Sequence, residues 1–137
     1  MISYFNSTIF RKTLAGLSGF FLVLFLLGHL LGNLQLFIPG EDGQKQFNEY
    51  ALFMTTNPAV KILSVLTYSS IILHTVLTLF LVFQSSNARD VKYLQSSGNA
   101  NSTWGSKNMA VLGTLILIFI VIHMKSFWYE MHFGVIG

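Results

Sequence analysis

Three long runs of apolar residues, 14–37, 62–83 and 109–129, alternate with polar stretches. Each run is close to the roughly 20 residues that an α-helix needs to cross about 30 Å of hydrocarbon. Inside lipid every backbone N–H and C=O must be bonded internally, and no run alternates as a barrel strand would, so all three are expected to be transmembrane helices. The fold class expected is all-α, a transmembrane helical bundle with three spans. The first run is too long for the apolar core of a signal peptide and no small-residue cleavage pattern follows it, so it reads as a retained span.

The polar stretches add detail. The N-terminal residues 1–13 read as an interfacial lead-in, with Phe5, Ile9 and Phe10 against the membrane. Ile38-Pro39-Gly40 is a helix stop followed by turn chemistry, a short helix is expected within 44–54, and Pro58 precedes the second span. The stretch 84–108 is rich in Ser, Asn and Gly and reads as a solvated connection, with Trp104 as an interface anchor. No internal repeat or linker divides the chain, so residues 1–137 are taken as a single transmembrane domain.

Composition agrees with the pattern, since 53% of the residues are hydrophobic and only 9% charged, far from the balance of a soluble domain. The eight basic residues against five acidic ones are scattered rather than patched, so no nucleic-acid partner is expected. Arg11 and Lys12 precede the first span and Arg89, Lys92 and Lys107 lie in the second loop, whereas the first loop sets Lys45 against Glu41, Asp42 and Glu49. By the positive-inside rule the N-terminus and second loop face the cytoplasm. With no cysteine in the chain, thiolate metal sites are excluded and histidine is the strongest transition-metal ligand left.

Histidines stand at positions 29, 74, 123 and 132, the first three falling one in each run. A histidine within the membrane is costly and by default a functional hypothesis, although a single one can merely bond a neighbouring helix. Counted from the middle of each run, His29 lies roughly 5 Å and His123 roughly 6 Å toward the outer side, while His74 sits near the centre or slightly to the cytoplasmic side. His29 and His123 therefore make a level pair able to coordinate the two faces of one haem, a six-coordinate centre suited to electron transfer. Gly28 and Gly32 form a small-residue groove near His29 where a macrocycle could lie or a helix could approach. Thr67, Ser70 and Thr78 share the face of His74 and are candidates for orienting it. His132, nine residues after His123, falls on the opposite face of a regular helix near the outer boundary and reads as interfacial. Lys125 and Glu130 lie close by, where charges are most often simply solvated.

These residues resemble the di-haem cytochrome b subunits that anchor succinate dehydrogenases and fumarate reductases. The resemblance rests on Arg11-Lys12, on Gly28-His29-Leu30-Leu31-Gly32-Asn33-Leu34, on Asn48-Glu49-Tyr50-Ala51 and Asn57-Pro58, on His74, and on the segment Ile122-His123-Met124-Lys125-Ser126-Phe127-Trp128-Tyr129. It implies a five-helix fold with two haem b groups, His29 and His123 being the axial pair of the distal haem and His74 one ligand of the proximal haem. The partner of His74 would come from a fourth helix, so the chain is expected to be truncated after its third, or to be completed by a second chain. It also implies flavoprotein and iron-sulfur subunits as partners, electron transfer to or from membrane quinone, menaquinone being usual for such members, and a bacterial inner membrane. Catalysis would belong to the soluble subunits. Two other classes fit the same histidines: the cytochrome b anchor of another quinone-linked enzyme, and a haem-free proton-conducting or transport protein in which they titrate.

Overall fold

A computed structural model describes residues 7–87 and 103–134; Phe5, Arg89 and Lys92 lie outside them. No strand occurs among the described residues, and the chain is all-α. It divides into two compact units, Met1–Ser85 and Ser86–Gly137, each with its own internal packing.

In the first unit, helix α1 (Thr8–Asn33) starts at Ser7, whose hydroxyl accepts from the Phe10 amide at 3.2 Å. This cap satisfies one of the orphan amides of the first turn. The helix thus begins before the apolar run and takes in Arg11 and Lys12, which sequence placed ahead of the span. A single 3₁₀ segment, Leu34–Phe37, tightens its end. Gly40 then adopts a φ of +85°, a left-handed value open to glycine, and opens helix α2 (Gly40–Thr56), with Glu41 and Asp42 in its first turn where the helix dipole favours negative charge. This helix is longer than the expected 44–54. Asn57-Pro58 is a start signal: the Asn57 Oδ1 accepts from the Ala59 amide at 2.9 Å and the Val60 amide at 3.4 Å, and Pro58 opens helix α3 (Pro58–Asn87) at the position where its missing N–H costs nothing.

The second unit holds the short helix α4 (Trp104–Lys107), capped by Thr103, then helix α5 (Met109–His123), a π-helical segment Met124–Tyr129 and a final turn α6 (Glu130–Phe133). Trp104 is 71% exposed.

Three continuous helical stretches, Thr8–Phe37, Pro58–Ser85 and Met109–Phe133, are long and apolar enough to cross a membrane. Each extends beyond the apolar run that announced it at one end or both. Their side chains are distributed inside out. Along α1 a continuous stripe of Leu17, Phe20, Leu24, Leu27 and Leu31 is more than half exposed, whereas the buried positions among the described residues are the small or polar Ala15, Ser18, Gly43 and Thr67. That is the arrangement lipid selects, because tails are as apolar as leucine and helices associate instead through close backbone approach and interhelical hydrogen bonds.

Candidate functional site

Helices α1 and α3 meet antiparallel. The Arg11 guanidinium lies 4.5 Å from the centroid of the Phe80 ring, and one to two turns further along α1 the half-buried His74 meets Ala15, Ser18 and Gly19. The His74 Nδ1 is 3.0 Å from the Ala15 carbonyl oxygen and 3.2 Å from the Ser18 hydroxyl, and that hydroxyl itself donates to the Ala15 carbonyl at 3.0 Å. Gly19 is required here, since a Cβ on it would stand 2.8 Å from His74 Cε1 and 3.3 Å from Nδ1.

Two of the three residues expected to orient His74, Thr67 and Thr78, are engaged elsewhere. Thr78 donates to the His74 carbonyl at 2.7 Å and Thr67 to the Leu63 carbonyl at 2.9 Å. The imidazole is positioned by the neighbouring helix instead. Besides the Gly28 and Gly32 pair, the sequence carries a second small-residue pattern that signals this contact, Ala15 and Gly19 four apart with Ser18 between, on one face of α1.

The two glycines near His29 part company. A Cβ on Gly32 would run into the Tyr50 hydroxyl and stand 2.8 Å from its Cζ, so Gly32 seats the α2 tyrosine against the end of α1. Gly28 has nothing within 4 Å of where its Cβ would be. The open surface beside His29 is therefore narrower than a groove running through both.

His29 is exposed and stacks on Phe25 of its own helix, with ring centroids 5.6 Å apart and planes at 21°. His123 does the same with Phe119, at 5.4 Å and 20°, and tilts against Phe127 at 4.8 Å. Both follow an aromatic by four residues, which puts the two rings on one helix face. His132 also has one, stacking on Trp128 at 4.5 Å while its Nδ1 lies 2.8 Å from the Trp128 carbonyl.

Layering is clearer than sequence made it. His74 stands level with residues 15–19 of α1, so His29 lies about a dozen residues, roughly 18 Å, further along that helix. The apolar runs had suggested less than half that separation, because they took the middles of the two spans as level. The depth match of His29 with His123 depends on the apolar boundaries: counted from the middles of the longer helical stretches, His29 is roughly 10 Å and His123 roughly 3 Å past centre. The two residues belong to different units. Nor is His132 simply opposite His123, because the intervening π-helical segment accommodates an extra residue per turn and brings His132 back to roughly 80° from it.

No group of three or more His, Cys, Asp or Glu able to hold a metal ion occurs among the described residues, a geometry that an axial histidine pair does not require. The residues fit an imidazole-bound cofactor in their chemistry: His74 has one ring nitrogen engaged by a carbonyl, a common arrangement for metal-ligating histidines, and Gly28 leaves open surface beside His29. What fold and site define is a multi-pass helical membrane protein with a histidine in each span. The chain matches no family model, no curated protein and no solved structure.

Proposed function

We propose that this chain is a haem-binding membrane anchor subunit of a succinate dehydrogenase or fumarate reductase, carrying electrons between the iron-sulfur subunit and membrane quinone. The observation that supports it is one histidine in each of three helices long and apolar enough to cross a membrane, where an imidazole is expensive unless it is used. In this reading His29 and His123 would be the ligands of one haem b and His74 would supply one ligand to a second. Haem with two imidazole ligands supplies one-electron transfer with no open coordination position. The flavoprotein and iron-sulfur subunits dock on the cytoplasmic side of a bacterial inner membrane, where Arg11 and Lys12 lie, and the quinone is menaquinone.

A dithionite-reduced minus oxidised spectrum of the purified chain supplied with haem is expected to show a b-type bis-histidine signal, lost in His29→Ala and in His123→Ala. A colourless, helical preparation overturns the proposal. A second reading has one observation in its favour. The bonds from His74 to Ala15 and Ser18 bridge α1 and α3, so this histidine can serve as structural glue alone; a spectrum and stoichiometry unchanged in His74→Gln would favour it.

A further inference from the structure

We propose that Ala15 and Ser18 are positioning residues that hold the His74 ring with a proton on Nδ1, leaving Nε2 as the metal-binding atom. The assignment of a metal to that atom rests on the haem reading; the tautomer does not.

A carbonyl oxygen can only accept, so the 3.0 Å contact from His74 Nδ1 to the Ala15 carbonyl requires the proton on Nδ1. The Ser18 contact points the same way. Its hydroxyl proton is directed at the Ala15 carbonyl, 3.0 Å away, so the oxygen it turns toward Nδ1 at 3.2 Å offers a lone pair. Both partners therefore ask for a donor at Nδ1, and the neutral ring is left with an acceptor at Nε2. An unconstrained histidine in water prefers the opposite tautomer, with its proton on Nε2, so the environment must supply the preference.

That environment is a single turn of α1. Ser18 is 7% and Ala15 7% exposed, which keeps solvent from competing for the carbonyl, and in a medium of low dielectric a satisfied bond counts for more. Gly19 completes the device, because any Cβ there would press on Cε1 at 2.8 Å and push the ring off its two partners. Thr67 and Thr78 bond backbone carbonyls of their own helix and do not supply an alternative. A ligand histidine is usually fixed in this way, the nitrogen away from the metal giving its proton to a carbonyl, which sets the ring's orientation and raises its basicity.

The test uses the full chain in lipid bilayers, labelled with ¹⁵N-histidine and without haem, at pH 8. The His74 ring signals are assigned by their disappearance in His74→Gln. The expected result is a ring protonated at Nδ1, retained with a changed Nδ1 shift in Ser18→Ala, where the Ala15 carbonyl remains. In Gly19→Leu, which displaces the ring, the Nε2–H form is expected to predominate. Finding no proton on Nδ1 of His74 in the unaltered helical chain overturns the proposal, as does a Ser18→Ala spectrum identical to the parent. The measurement needs no cofactor, so an Nδ1–H ring in a chain that takes up no haem refutes the haem reading and leaves the positioning role standing.

Discussion

The histidines of this chain are held in two different ways. His74 is gripped by another helix, through a carbonyl and a hydroxyl of α1 and the bare face of Gly19. His29 and His123 each lie on a phenylalanine one turn earlier in their own helix, at nearly the same separation and tilt. The first arrangement ties an imidazole to the packing of α1 against α3, so its geometry is only as good as that packing. The second sets two rings four residues apart on one helix face. The residue four before His74 is Ser70, which offers no aromatic face, and here the missing local support coincides with support from a neighbour.

The sharpest way to break this contrast is at glycine. Gly19→Ala should loosen α1 from α3 by about 1–2 kcal/mol, since an overpacking cost of about 1–3 kcal/mol and strained bonds at His74 outweigh the ~1 kcal/mol that alanine gains in a helix. Gly28→Ala, with open space around it, should be neutral or stabilising by up to ~1 kcal/mol. Titration into SDS from mild detergent, followed by circular dichroism, reads both, and equal effects at the two positions would dissolve the distinction. The same pair sharpens the haem proposal. If a macrocycle lies beside His29, Gly28→Ala lowers haem uptake while leaving apo stability intact.

A smaller effect is expected where α2 meets α1. Gly32→Ala should cost about 1 kcal/mol by displacing Tyr50, and Tyr50→Ala should remove most of that penalty, which a double-mutant cycle in the same titration would report as coupling. Absence of coupling would mean that Tyr50 leaves Gly32 without cost. Smallest of all, Phe25→Leu and Phe119→Leu should each cost about 0.5–1 kcal/mol, the part of an aromatic contact that leucine does not replace. They should leave the His74 ring signals unmoved. A shift at His74 in Phe25→Leu would show that the two modes of support are not separate.

Much of this was legible along the chain. The three spans follow from apolar length alone, because lipid leaves the backbone no choice but a helix. The start of α3 is written in Asn57-Pro58, and the stacking of His29 and His123 in the four-residue spacing from Phe25 and Phe119. The helices run past the apolar stretches because Arg11, Lys12 and Lys61 interrupt an apolar pattern without interrupting a helix. The phase of His132 was misread because six residues of π-helix carry no signal in a periodicity that assumes 3.6 residues per turn.

What sequence determined by itself is the class of molecule and the placing of one histidine in each span, both set by transfer of side chains and backbone into hydrocarbon, which depends on local composition. Only the tertiary structure decided which small residues face which histidine. Gly19 and Gly32 receive a neighbour's side chain, Gly28 receives none, and His74 is level with residues 15–19 rather than with the middle of the apolar run 14–37. The reason is that a glycine's role and the relative slide of two helices depend on atoms contributed from elsewhere in the chain, and hydrophobic pattern, which fixes how deep a helix runs, fixes neither its rotation nor its register to within a turn.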